Sequence, residues 1–366
     1  MEPAALRAEM PALERTIYMN TGASGPSPRR VVDAVTEFVE YHEYEAPANE
    51  GMYTAAFEAF ADAREAAAGL LGATPAEVAL TQSTVDGINR VANAIDWSAG
   101  DTVLRTDLEH PAGVLPWQRQ RDMYGVEVEV LETDRGRLDV DDVKDAVHDA
   151  RLVCLSSLSW NYGTRLPVSE VVDVAHDAGA QVLVDAVQSP GQTAVDVSEW
   201  GADFVACASH KWLLGPWGAG MLYVSEDVVT DLEPDHVGYL SVTDSNGDYE
   251  FKPNAHRFEM GTTAPAPYVG LRAAIETIDA VGIGTIESHI QELTDRLKAG
   301  LGDRLLGPEA YESGLVTFAV DDPEATVERL AEAGIQIRAI PSPEAVRASL
   351  HVFNTAGDVD ALLDAL

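Results

Sequence analysis

From about residue 55 onward the chain alternates short apolar runs with stretches of helical periodicity, and this alternation limits the possible folds more than any other feature. The runs are Val78 to Leu80, Asp101 to Leu104, Val126 to Leu131, Leu152 to Leu155, Gln181 to Val184, Phe204 to Ala206 and Gly220 to Val224. Each is strand-like in length. Thr74-Pro75-Ala76-Glu77 reads as a capping box leading into the first of them. Ser83 then opens a helix with Ile88, Val91, Ala92 and Ile95 on one face. A second helix, capped by Ser169 and ended near Gly179, carries Val171, Val172, Val174, Ala175 and Ala178 as its apolar stripe. Strand-helix-strand units of this kind build a largely parallel sheet with helices on both faces, and such sheets take ligands at their carboxyl edge.

After Gly261 the pattern changes. Helices are expected around 266–281, 286–301 and 323–333, with the strand-like segments GLVTFAV, GIQIRAI and VRASLHVF among them and a last helix capped by Thr355. This predicts a smaller α+β domain with a mixed sheet. The expected division is a large domain over 16–262 and a small one over 263–366, with 1–15 packing on the latter.

The chain has 366 residues, 46% of them hydrophobic, which is enough for one large core and a satellite. Its formal charge of −37 comes from acidic residues scattered along the chain, and this disfavours nucleic acid as a partner. Self-repulsion of that size is screened at molar salt, so a halophilic host is expected. No apolar run approaches the roughly 20 residues of a membrane span, and the first residues are charged and lack an apolar core; no membrane partner and a cytoplasmic location are the expectation. Cys154 and Cys207 each lie within an apolar run and read as buried thiols, with no metal cluster implied.

Lysine is scarce: Lys144, Lys211, Lys252 and Lys298 are the full set. Lys211 follows a buried strand directly and precedes a glycine-rich turn, in Ala208-Ser-His-Lys-Trp-Leu-Leu-Gly-Pro-Trp-Gly218. A lysine amine attacks a carbonyl only when neutral, and the apolar neighbours Trp212, Leu213 and Leu214 would favour that form. A lysine snorkelling from a strand end fits the same segment equally well.

Asp185 ends the apolar run Gln181 to Val184 and would also stand at the carboxyl edge. Pyridoxal phosphate (PLP) requires such a carboxylate beside its ring nitrogen, although a lone aspartate there is more often a cap or loop anchor. The Gln82-Ser-Thr-Val85 turn at a helix start offers backbone N–H groups and hydroxyls to a phosphate, and equally suits ordinary capping.

Together these segments resemble the class V aminotransferase family of fold-type I PLP enzymes, from about residue 17 to the C-terminus. That group includes cysteine desulfurases, selenocysteine lyases, kynureninases and isopenicillin N epimerase. The resemblance implies a homodimer acting on an amino acid, and gives roles to individual residues. Ile17 to Pro26 is similar to the family's first strand and turn, which places Asn20, Gly22 and Ala23 beside the substrate. Ser83, Thr84 and Val85 match the phosphate-binding turn. Glu109-His110-Pro111 and Leu115-Pro-Trp-Gln118 match the segment whose histidine stacks on the cofactor ring, and the resemblance implies that stacking role, with proton transfer, for His110.

Val184-Asp185-Ala-Val-Gln188 resembles the motif with its aspartate on the ring nitrogen and its glutamine near the phenolic oxygen. His210-Lys211 matches the pair in which lysine forms the Schiff base and histidine helps hold phosphate. Arg257 to Thr262 is similar to the segment whose threonine, here Thr262, reaches the neighbouring subunit's phosphate. Val346-Arg347-Ala-Ser-Leu350 matches the segment whose arginine pairs with the substrate α-carboxylate.

Three departures qualify the match. The stretch from Arg338 to Val346 lacks the cysteine that desulfurases carry there, which disfavours persulfide-forming desulfuration. Trp160 occupies the place of an asparagine beside the ring oxygen, with Asn161 as a candidate substitute. Ala208 replaces a phosphate-binding serine, with Ser209 next in line to compensate. Trp160, the Gly163 to Val168 run and the residues after Lys211 look more like the isopenicillin N epimerase-like branch. Aminotransferase or lyase activity at an amino acid α-carbon is the leading expectation, followed by epimerisation and then cysteine desulfuration. A catalytically silent PLP-fold binding module is the rival from another class. Arg119, Arg121 and Arg165 are candidates for gripping a second acidic group, or plain surface arginines.

Overall fold

The computed structural model describes all 366 residues. Its centre is a seven-stranded sheet: β1 (Val78–Thr81), β2 (Thr102–Thr106), β3 (Glu127–Leu131), β4 (Ala150–Ser156), β5 (Gln181–Asp185), β6 (Phe204–Ala208) and β7 (Gly220–Val224). Their spatial order is β1-β7-β6-β5-β4-β2-β3. All pairings are parallel except those of β7, which runs against both β1 and β6.

Both faces of this sheet are apolar because the strands alternate between two cores. Leu80, Val153, Val182, Val184 and Val205 join one buried cluster, while Ala79, Leu152, Leu183, Phe204 and Ala206 join another on the opposite face. Helix α1 (Thr84–Ala94) follows β1 and buries Ile88, Val91 and Ala92, as its periodicity predicts. The helix expected after Ser169 begins at Val168 instead; the Ser169 hydroxyl donates to the Glu199 carbonyl rather than capping it. The Thr74–Glu77 capping box is formed, but it opens a single 3-10 turn.

A third core gathers Met19 with residues from 293 to 362 around β8 (Leu315–Phe318), β9 (Arg338–Pro341) and β10 (Glu344–Ser349), in the antiparallel order β9-β10-β8. The chain's first strand joins this region: Ile17–Tyr18 pairs in parallel with Ile335–Gln336, and Asn20 bridges Ser349. Arg7, in the opening helix, donates to the Phe353 carbonyl and to Asp358, while Leu6 and Met10 enter the first core. No helix is long and apolar enough to cross a membrane.

Candidate active site

The carboxyl ends of β1, β5 and β6 point toward one cavity of about 520 Å3 at the edge of the sheet, and β9 and β10 of the second sheet supply arginines to it. Asp185 is the last residue of β5, in register with Ala206 of β6, and Lys211 comes three residues beyond the end of β6. Both side chains line the cavity. Asp185 is 3% exposed, and one of its oxygens accepts from the Val187 N–H at 3.0 Å. Burial pushes its carboxyl upward, opposed by that N–H and by the Lys211 ammonium.

Burial lowers the Lys211 amine to about 8. Asp185 resists this shift, while Arg347 and Arg338 reinforce it. A lysine in this state has a substantial neutral fraction near pH 8, which is what attack on an aldehyde demands.

At the β1 end, Ser83 caps α1 by accepting from the Asp86 N–H at 3.2 Å. Ser83, Thr84 and Val85 all face the cavity, and the Thr84 hydroxyl is buried without a partner. The open N-terminal N–H groups of an 11-residue helix form an anion site beside it. Gly220 makes the close approach possible: a Cβ there would lie 2.9 Å from the Ser83 nitrogen and 2.8 Å from the Thr81 hydroxyl.

His110 and His210 both line the cavity. His110 meets Trp160 edge-on at 5.5 Å, and its Nδ1 accepts from the Ala112 N–H. His210 lies 4.7 Å from the Trp217 ring. Burial drives both imidazoles down to about 4, helped at each by the Lys211 charge, so both are neutral at ordinary pH.

Arg347 is the most deeply set cation, at 1% exposed. Its Nη1 donates to the Trp160 carbonyl at 2.6 Å, while Nε and Nη2 have no partner. Burial and then Arg338 lower it to about 9. The Asn20 Oδ1 and the Thr21 and Ser349 hydroxyls are buried and unpartnered as well. Gly22 keeps this corner open, since a Cβ would come within 3.0 Å of the Arg347 Nη2. Buried donors left idle beside a cavity call for a ligand.

Twelve of the expected residues line the cavity: Gly22, Ala23, Ser83, Thr84, Val85, His110, Trp160, Asp185, Gln188, His210, Lys211 and Arg347. Four do not. The Asn161 amide donates to the Ser342 carbonyl, which turns it into the β9–β10 hairpin, so Trp160 alone of that pair reaches the cavity. The Trp160 Nε1 has no partner. Ser209 is fully buried with its hydroxyl donating to Pro216 and Ala219 carbonyls, so it does not make up for Ala208. Asn20 stands one layer back, bridged to Ser349.

Thr262 is exposed and outside this chain's own cavity; its N–H donates to the Tyr239 hydroxyl at 3.0 Å. Gln188 does line the cavity, but its amide is already engaged, donating to the Gly22 carbonyl and accepting from the Trp212 indole. Arg338 and Trp217 were not singled out as site residues by sequence. Trp217 lies within the lysine segment, and only the pairing of β9 with β10 reveals Arg338. Arg165 is tied to Glu287 and Glu312, Arg121 to Asp122, and Arg119 is exposed away from the cavity.

The donor set fits PLP: an anion site at a helix N-terminus, a buried carboxylate, a partly neutral lysine and idle donors face one space of suitable size. Fold and cavity therefore define a fold-type I PLP-dependent enzyme. The aminotransferase class-V family model matches residues 17–362, and the chain belongs to that family. A probable cysteine desulfurase of Methanothermobacter thermautotrophicus is 36% identical over 99% of this chain and 96% of its own length. The apo structure of a cysteine desulfurase from Thermococcus onnurineus NA1 matches with a TM-score of 0.92 at 29% identity, covering 100% of this chain and 97% of that one. The cystine C–S lyase C-DES, in complex with its product cysteine persulfide, gives 0.92 at 29% identity over 97% of this chain and 98% of its own. A C-DES mutant with glycine covalently linked to the PLP cofactor gives the same values over 98% of each chain.

Proposed function

We propose that this chain is an aminotransferase or β-lyase that removes the α-proton of an amino acid with the Lys211 amine, without a protein-bound persulfide. Lys211 would hold the cofactor aldehyde, Asp185 its ring nitrogen, His110 one ring face, and the α1 N-terminus with His210 its phosphate. PLP, when bound, supplies a sink for the electrons left at the α-carbon. The chain's own residues do the rest. Arg347 offers Nε and Nη2 as a two-donor fork to the α-carboxylate, which fixes the α-carbon in place. Lys211, once released, takes the α-proton, an act favoured by the burial that keeps its amine partly neutral. Asp185, buried at the strand end with Lys211 as its cationic neighbour, would hold the opposite end of the ring.

The observation that carries this reading is the convergence of Lys211, Asp185 and the half-engaged Arg347 on one cavity. The absence of a reachable thiol separates it from the desulfurase relatives. Cys154 and Cys207 are both fully buried, burial drives both thiols up, and neither lines the cavity. A β-lyase needs no such group, because the leaving group departs from the substrate itself; C-DES, a C–S lyase by name, is a structural neighbour. Epimerisation would need a second acid on the far face of the substrate; His110 lines the cavity, but burial keeps its imidazole neutral at ordinary pH.

The same reading takes the active unit to be a homodimer, with exposed Thr262 serving the partner's phosphate site. It also places the protein in the cytoplasm, which the two free cysteines support. The test is borohydride reduction of the yellow holoprotein followed by peptide mapping. A pyridoxyl group on Lys211, and a spectral response to amino acids lost in Lys211→Ala, are expected. A label elsewhere, colour without response to any amino acid, or turnover of cysteine to alanine with a persulfide left on the protein would overturn it.

A further inference from the structure

We propose that Arg338 selects the substrate's side chain, and that the substrates are amino acids whose side chain ends in a carboxylate. Arg338 of β9 stands directly opposite Arg347 of β10 in the antiparallel pairing, so the two side chains share one face of that sheet, and both line the cavity. Like charges placed directly opposite each other repel and destabilise a ladder. Nothing in the chain offsets this. Asp185 is the sole acidic residue lining the cavity, in a chain with 61 aspartates and glutamates to draw on.

One anion does not need both arginines. The Nε and Nη2 of Arg347 already present the complete fork that a single carboxylate takes. The phosphate site is built on another wall, at the start of α1. Arg338 is therefore left for a second negative group. It is exposed where Arg347 is buried, so an amino acid held by its α-carboxylate on Arg347 would extend its side chain toward the cavity mouth and Arg338. An amide of the same length would fit the space and still satisfy Arg347 but leave Arg338 uncompensated, which makes charge, not size, the basis of selection.

This inference rests on the assignment of the α-carboxylate to Arg347. The experiment is a spectral titration of the PLP-loaded wild type and Arg338→Gln with aspartate, asparagine, glutamate, glutamine and alanine. For the wild type, at least one acid is expected to bind about tenfold or more tighter than its amide, from a charged hydrogen-bonded pair. Arg338→Gln is expected to bring that acid down to the affinity of its amide. Equal affinity of acid and amide for the wild type overturns the proposal, as does an equal loss for all five ligands in Arg338→Gln, which would make Arg338 part of the α-carboxylate grip. If alanine alone perturbs the spectrum, the side-chain proposal fails while the amino-acid reading stands. If none of the five does, and no other amino acid does, both fall.

Discussion

Asp185 closes one parallel strand and Lys211 follows the end of its neighbour, so a carboxylate and an amine 26 positions apart in sequence share one wall of a cavity. The pairing of β5 with β6 creates this relationship. It separates the two charges from solvent together, and each shifts the other: Lys211 lowers Asp185 and Asp185 raises Lys211, while burial does the reverse to both.

The state of Lys211 predicts how the cofactor enters. Only the neutral amine attacks an aldehyde, and burial brings this amine to about 8. The rate of PLP uptake by the apoprotein should rise about tenfold per pH unit below that value and level off above it. An unshifted lysine would keep climbing through pH 9 to 10. Stopped-flow absorbance at the yellow band measures the profile.

Arg347→Lys keeps a positive charge but removes the planar fork. Substrate affinity should fall by roughly 10- to 100-fold, read as a raised KM with a smaller loss in kcat. A loss confined to kcat would place Arg347 in proton transfer instead.

Trp160→Phe retains a ring against His110 and deletes an N–H that bonds to nothing in the protein. Stability should change by less than about 1 kcal/mol, because no internal hydrogen bond is lost. The visible absorption maximum of the holoprotein should move if that N–H serves the cofactor. An unmoved spectrum would leave Trp160 as packing only.

Glu109 makes a stability prediction. It is 6% exposed, accepts from Thr106 and Ser156, and has no cationic partner, so burial raises its carboxyl to about 7. A carboxyl raised on folding stabilises the native state below its unfolded value and loses that contribution as pH climbs through the folded value. The loss therefore falls between about pH 4.5 and 7 and is on the order of 3 kcal/mol. Glu109→Gln should flatten the fall in melting temperature across this window, measured at constant high salt.

The charge of −37 predicts salt dependence. Raising KCl from about 0.1 M to about 2 M shortens the screening length to a few ångströms and should lift the thermal midpoint by roughly 10 °C or more. Equal midpoints at both concentrations would argue against adaptation to a saline interior.

Much of the site was legible because its residues sit at strand ends, where an apolar run stops and a polar residue begins. Asp185 after Gln181 to Val184 and Lys211 after Phe204 to Ala208 are of this kind. Ser83 was legible as a helix cap, which it is. Ser209 was not, because nothing in Ala208-Ser-His-Lys says which way each side chain turns once the strand has ended. The direction is set by the Pro216 and Ala219 carbonyls that capture its hydroxyl. Asn161 and Trp160 were likewise indistinguishable until Ser342, from a hairpin 181 residues away, claimed the amide.

By itself the sequence determined the alternation of strands and helices, the apolar character of both sheet faces, the lysine and aspartate at strand ends, and the lack of a cysteine in the Arg338 to Val346 stretch. These are local properties, fixed by periodicity, burial preference and residue chemistry. Tertiary structure alone decided which side chains share the cavity. The parallel pairing of Ile17–Tyr18 with Ile335–Gln336 and the opposition of Arg338 to Arg347 join distant parts of the chain through backbone hydrogen bonds. Backbone ladders carry no side-chain signature of their partner's register, so that arrangement becomes visible only once the sheets are assembled.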